Sequence, residues 1–258
     1  MTRNSLESLI RDLHRRRGRE RRGLALAEGV RLVEEALAAR VPFRGAVVSP
    51  TLEGTARGKA LEDALRAAGV PITHVDDAAL AELADTEHPQ GIVAVVTPTA
   101  WTLDHVTLGH DGVIVVLDAV QDPGNVGTIL RTAHGLGAAA VVALPGTAEL
   151  TSPKTLRAGM GAFFRFPCVS SGADEFFAWA SANHVETWAT DSAGTPIASA
   201  PRGGGPIALV LGNEGAGIGE AVRARAARQV AIPLRAGAES LNVAIAAAIL
   251  LYEVRRGA

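Results

Sequence analysis

Cysteine is nearly absent from this 258-residue chain, Cys168 being the only one. An intramolecular disulfide is thereby excluded, and the composition fits folding in a reducing compartment. A secretory leader is not expected either, since the opening MTRNSLESLIRDLHRRRGRERR has charges where a leader needs an apolar stretch. The longest apolar run near the C-terminus, Val243 to Tyr252, falls far short of a membrane span. These absences predict a soluble, cytoplasmic protein. Metal-ligand spacing is lacking too, since His105 and His110 sit in an irregular stretch and His14, His74, His88, His134 and His184 are scattered. No metal is expected.

The usual nucleotide loops fail as well. Gly212, Gly215, Gly217 and Gly219 follow a late strand in the order G-x-x-G-x-G-x-G, whereas a dinucleotide site needs G-x-G-x-x-G after the first strand of its unit. A nicotinamide-dependent oxidoreductase is disfavoured on that ground. Gly54 to Ala60 (GTARGKA) is one residue short of a phosphate loop and lacks the hydroxyl residue for magnesium, so it reads as a helix entrance. Repeats and low-complexity tracts do not occur.

What is present is length enough for one large domain or two modest ones, and an uneven charge. Residues 1 to 31 hold nine arginines against four acids, a local +5 in a chain whose net charge is -2. Such a run is either a solvated helix face or the footprint of phosphate binding, with Arg15, Arg16 and Arg17 as the candidate contacts.

The first half alternates helix and strand. Leu24 to Ala39 carries apolar residues at a helical period, Phe43 to Ser49 reads as a strand, Gly58 to Ala68 as a helix, Pro71 to Val75 as a strand, Ala78 to Ala84 as a helix and Gly91 to Thr97 as a closing strand. Residues 1–97 thus form a small α/β domain. Periodicity is lost around 98–111, which reads as a linker. From 112 to 258 long apolar strands alternate with helices: Val113 to Val120, Ala139 to Leu144, Phe166 to Ser170, Glu186 to Thr190, Ile207 to Leu211 and Gln229 to Pro233, before a mostly apolar helix from Ser240 to Arg255. Strands apolar on both faces predict a parallel sheet covered by helices on both sides.

Ligands of open α/β sheets bind beyond the carboxyl ends of the strands, so the loops there are the ones to inspect. Three stand out: Gln121 to Asn125 with Gly127 and Arg131, Gly212 to Gly217, and Leu234 to Asn242. Each has a plain structural reading. Asn125 could cap its helix, Gly212 to Gly217 could be a turn needing positive φ, and Ser240 could cap the last helix. Arg131 resists this treatment. It lies six residues past Asn125 on a helix patterned for burial, with Val126, Ile129, Leu130 and Ala133 around it, and a buried guanidinium needs a partner.

Taken together, N-x-G-x-[IL]-x-R-[TS]-A (Asn125 to Ala133), L-G-N-E-G-x-G (Leu211 to Gly217) and I-P-L…E-S-L-N-V-A-x-A (Ile232 to Ala247) resemble, in order and spacing, the three motifs of the SpoU, or TrmH-type, RNA ribose 2'-O-methyltransferases of the SPOUT superfamily. The likeness covers most of residues 111 to 256. The first half resembles the family's L30e-like substrate-binding domain, notably at Leu26 to Leu37 and His88 to Val96. The resemblance implies a deep trefoil knot in the C-terminal α/β domain, S-adenosylmethionine bound there by Leu211, Gly212, Gly217, Ile232, Leu234 and Leu241, and a homodimer with active sites at the subunit boundary. It also implies catalytic roles for Arg131 and Asn125, completed by Glu214, Ser240 and Asn242, with RNA, more in keeping with ribosomal than transfer RNA, as substrate. Gly212 would keep space for the adenosine, so a valine there should abolish cofactor binding and leave the fold intact. A non-catalytic RNA-binding or ribosome-assembly factor is the alternative, but it would not need all five polar residues.

Overall fold

The computed structural model describes residues 3–201, 203–235, 237 and 240–256. The chain divides into two compact units, Met1–Ala100 with Thr151–Phe164, and Trp101–Leu150 with Arg165–Ala258.

The first unit is built on β1 (Ala25–Glu28), β2 (Phe43–Val48), β3 (Ile72–His74) and β4 (Ile92–Val96), in the order β1-β4-β2-β3. Strand β4 runs antiparallel to both neighbours, and β3 joins β2 in parallel. The helix expected over Leu24 to Ala39 starts only at Val30. Ala25–Glu28 pairs with Val93–Val96 and is buried at all four residues, and Gly29, at φ 91°, turns the chain into the helix Val30–Ala38. Cross-strand pairing overrides the local helical period there.

The arginine-rich N-terminus is a packed helical pair, Arg3–Leu13 and Arg16–Arg22. Leu6, Leu9, Ile10 and Leu13 enter the same core as Leu26, Val47, Val93 and Val95. Arg19 is buried, and its Nη1 donates to the carbonyls of Leu13 (2.7 Å) and His14 (2.9 Å), satisfying the end of the first helix. Asp12 accepts from Arg22 Nε at 2.7 Å and Arg21 Nη2 at 2.8 Å, and the Arg22 bond above all holds its carboxyl below the usual range. A helix that the patterning did not single out, Pro153–Gly159, packs on β1, where Arg157 reaches Asp85 at 2.6 Å and the buried Glu28 at 3.4 Å.

The second unit carries six parallel strands, β5 (Val113–Leu117), β6 (Ala140–Ala143), β7 (Cys168–Ser170), β8 (Glu186–Pro196), β9 (Ile207–Leu211) and β10 (Arg228–Ala231), ordered β10-β8-β9-β5-β6-β7. The parallel sheet expected from the apolar strands is what forms. VIVVL of β5 and IALVL of β9 are buried throughout and pair in register from Val113 opposite Ile207 to Leu117 opposite Leu211. Strand β8 runs beyond the expected Thr190 to Pro196, alongside β10. Trp101, Val106 and Leu108, in the stretch read as a linker, pack on this unit's core. Cys168 is buried in β7, and burial pushes its thiol pKa up, so it stays protonated. No helix among the described residues is long and apolar enough to cross a membrane.

The strand order decides where a ligand can sit. From β5 the sheet grows through β6 to β7 on one side, whereas β9, β8 and β10 lie on the other. The two directions part between β5 and β9, and the loops beyond the carboxyl ends of these strands frame a crevice.

Candidate active site

The loop after β5 leads into the helix Pro123–Gly135, which opens on Asp122. Its Oδ1 accepts the Asn125 backbone N–H at 2.9 Å, and Pro123 fills the first helical position, where a missing N–H costs nothing. The cap is therefore Asp122 and not Asn125, which frees the Asn125 amide. Asn125 Nδ2 donates to Glu214 Oε1 at 3.0 Å, and Asn125 Oδ1 accepts from Asn242 Nδ2 at 3.0 Å. One carboxamide thus joins all three loops singled out in the sequence.

Glu214 has further partners, accepting from the backbone N–H groups of Gln121 (3.2 Å) and Asp122 (3.3 Å). Burial raises its pKa, but the Asn125 amide and these backbone donors outweigh that and leave the carboxyl below its ordinary range. Glu214 is an ionised clamp at neutral pH. Asn242 Oδ1 accepts from Ala244 N (2.9 Å) and Ile245 N (3.3 Å), so Asn242 caps the last helix, which begins at Val243 rather than at Ser240. Ala236, Ala238 and Glu239 of this third loop lie outside the described residues.

The loop after β9 folds back on Asn213. Asn213 and Gly217 exchange two backbone hydrogen bonds of 2.9 Å, and Asn213 Oδ1 accepts from Gly215 N and Ala216 N at 2.9 Å each. Asn213 Nδ2 donates to Ala119 O at 2.9 Å, and Asp118 Oδ2 accepts from Gly219 N at 2.7 Å, which binds the loop to the end of β5. A Cβ on Gly212 would stand 2.2 Å from the Gly217 carbonyl carbon and 2.3 Å from Ile218 N. That contact is internal to the protein. The expectation that valine at 212 spares the fold is therefore overturned, because the space it would fill already holds backbone.

Beside this loop lies a cleft of about 390 Å³, within the size range of small-ligand sites. Its walls include every residue expected to hold a cofactor, Leu211, Gly212, Gly217, Ile232, Leu234 and Leu241, together with Glu214 and Ser240. Leu234 and Leu241 are each 37% exposed, offering apolar surface to a flat ring, while the glycine loop offers backbone. Such walls fit an adenosine. Sequence reasoning missed Asp118 and Asn213, and also Asp191 and Arg223, which line the cleft as an ion pair with Nη1 to Oδ2 at 3.0 Å. The position of Asp118 directly after a buried strand, and of Asn213 between glycines, were signals available for the first two.

Arg131 stands apart from this cluster. It is exposed, and no hydrogen bond or ion pair engages it among the described residues. The buried side of its helix is Val126, Ile129, Leu130 and Ala133, and at about 100° per residue position 131 falls nearly opposite that stripe. The expected burial was wrong, and the guanidinium is free to meet something outside the chain. In the first unit Arg15 and Arg17 are likewise exposed and without a described partner, whereas Arg16 donates to Glu20 at 2.7 Å. His74, scattered in the sequence, meets the buried Glu62 at 2.8 Å, but Arg66 also bonds that carboxylate.

Residues 112–252 match the model of the SpoU rRNA Methylase family, and residues 8–94 match an MRM3-like substrate binding domain. The chain is 35% identical over 244 residues to the 23S rRNA (guanosine(2553)-2'-O)-methyltransferase RlmP of Bacillus subtilis, covering 94% of this chain and 93% of that one. It superimposes on the SpoU methyltransferase AviRb from Streptomyces viridochromogenes in complex with AdoMet with a TM-score of 0.89, at 29% identity over 100% of this chain and 98% of the other. An AdoMet-bound rRNA methyltransferase from Sinorhizobium meliloti gives a TM-score of 0.85 at 30% identity, over 100% and 96% of the two chains.

Proposed function

The chain belongs to the SpoU rRNA methylase family, and from that premise we propose that it transfers a methyl group from S-adenosylmethionine to a ribose 2'-hydroxyl of 23S ribosomal RNA. The observation that carries the reading is the Asn125 amide, which joins Glu214 and Asn242 at the rim of the glycine-loop cleft. A non-catalytic RNA-binding factor would not need this junction together with Arg131 and Ser240.

Bound S-adenosylmethionine supplies a methyl group made electrophilic by its sulfonium. Leu211, Gly212, Gly217, Ile232, Leu234 and Leu241 line the cleft and would hold it, Leu234 and Leu241 offering apolar surface and the glycine loop offering backbone polar groups. Glu214 cannot serve as base in its clamped, ionised state without breaking the bonds that fix the rim. Its work is to keep Asn125 in one orientation, with Asn242 holding the other end of the amide and Ser240 lining the cleft. A guanidinium offers N–H donors and no acceptor, so Arg131 is no base either. We assign it to gripping an RNA phosphate and orienting the hydroxyl, and the proton leaves to a phosphate oxygen or water. In-line approach near ~3 Å is then a matter of positioning, which is a large source of rate.

The first unit is read as the RNA-holding domain, with Arg15 and Arg17 supplying phosphate contacts alongside Arg16. A homodimer belongs to the same proposal: Ile245, Ile249 and Tyr252 leave an apolar stripe, 54%, 37% and 56% exposed, along the last helix. Ile245→Asp with Tyr252→Asp should give monomers in analytical ultracentrifugation, and an unchanged dimer would refute that assignment. A cytoplasmic location belongs to the same proposal, and the knotted topology of the resemblance is proposed for the second unit. The main test is transfer of radiolabel from S-adenosylmethionine to 23S rRNA stripped of its modifications. Absence of label in rRNA, or label on a base rather than a ribose, would overturn the reading.

A further inference from the structure

The adenosine and amino-acid ends of S-adenosylmethionine make opposite demands on a cleft. One is flat and largely apolar, and the other ends in a carboxylate and an ammonium. Leu234, Leu241 and the glycine loop answer the first demand. The second needs fixed charge, and among the described residues lining this cleft Arg223 is the only cation.

Arg223 sits in the short helix Glu220–Arg223 and is held by Asp191, in the stretch of β8 between its paired residues Ala189 and Thr195, with Nη1 to Oδ2 at 3.0 Å. Asp191 lines the same cleft and is the more sheltered of the pair, at 18% side-chain exposure against 35%. The rest of the guanidinium is under-used. Nη2 makes only a 3.4 Å contact to Ile218 O, and Nε is buried with no hydrogen-bond partner among the described residues. A guanidinium offers five N–H donors in a planar fork that matches a carboxylate. An arginine retained only as a strut for the glycine loop would spend its donors on that loop.

Accepting the cleft as the S-adenosylmethionine site, we infer that Arg223, oriented by Asp191, receives the α-carboxylate of the cofactor's methionine part and so discriminates intact S-adenosylmethionine from analogues lacking that group. The role is one of cofactor recognition and positioning. Nothing in it touches the RNA.

The test compares two ligands on each of three proteins by calorimetry, using S-adenosylmethionine and its decarboxylated analogue. Wild-type protein should prefer the intact cofactor by roughly tenfold or more, the scale of one charge-assisted hydrogen bond. Arg223→Gln should lose most of that preference while binding the analogue nearly as wild type does, and Arg223→Lys should fall between them. Melting curves and binding stoichiometry on the same samples report any unfolded fraction, which lowers the number of sites without changing the ratio of affinities. If Arg223→Gln weakens both ligands equally, Arg223 is a strut and the inference is overturned, as it is if the variant keeps the wild-type preference. Wild-type protein that binds neither ligand would instead overturn the cofactor reading of the cleft.

Discussion

Replacing Gly212 by alanine is the sharpest perturbation the structure offers, because the added carbon is a single atom whose surroundings are known. It would stand 2.2 Å from the Gly217 carbonyl carbon, 2.3 Å from Ile218 N and 2.5 Å from Gly217 O. Ordinary contact begins near 3.4 Å, so the 217–218 backbone must retreat by more than an ångström. No flexible side chain can absorb that motion. The retreat pulls on both Asn213–Gly217 backbone bonds, each 2.9 Å and worth about 0.5–1.5 kcal/mol. Overpacking in a tight site adds about 1–3 kcal/mol. A total of roughly 2–6 kcal/mol should lower the melting temperature of the second unit by something on the order of 10 °C. The same movement displaces Glu214 and the cleft wall, so affinity for S-adenosylmethionine should fall as well. Gly215→Ala is the control for the fold: its Cβ would meet only Asn213 Oδ1, at 3.7 Å, and melting should stay near wild type. Scanning calorimetry with a cofactor titration measures the two effects together. A Gly212→Ala protein that melts within a degree or two of wild type and binds normally would refute the argument.

Other outcomes follow from the same geometry. Arg131→Lys keeps the charge but loses the planar fork, so single-turnover methyl transfer should fall by about 100-fold or more. Because Arg131 is exposed and unpaired, its melting temperature and cofactor affinity should not move, and near wild-type turnover would exclude its role. Glu214 has a folded pKa below its unfolded one, so its clamp stabilises the protein above the ordinary carboxylate range and is lost as pH falls through the lowered value. The stability gap between wild type and Glu214→Gln in urea titrations should therefore be constant near neutrality and close in acid, and a gap that widens in acid would reverse the sign. Arg15→Ala with Arg17→Ala should weaken RNA binding and reduce its log–log salt slope by about 1 to 2. An unchanged slope would return both arginines to a solvated face.

Folding follows the sequence closely where burial alone decides structure. The strands of the parallel sheet were legible because a strand covered on both faces must be apolar at every position, as VIVVL and IALVL are. Leu24 to Ala39 was misread because a four-residue strand and one helical turn share an apolar spacing, and only pairing with β4 chooses between them. The N-terminal arginines show the same limit: charge was visible at once, but that Leu6, Ile10 and Leu13 pin these helices to a core depends on a sheet formed later in the chain.

By itself the sequence determined the fold class, the family resemblance and the identity of the three loops, since residue type and spacing carry that information. Which atom bonds which was decided in space. Asp122 takes the cap, so Asn125 is free to reach Glu214, 89 residues away, and Asn242, 117 residues away. No local signal encodes those distances. They arise because β5 and β9 pair side by side and bring their carboxyl ends, with the loops that follow, to the same edge of the sheet. Arg131 is exposed for a related reason, because which side of a helix meets the core is set by what packs against it.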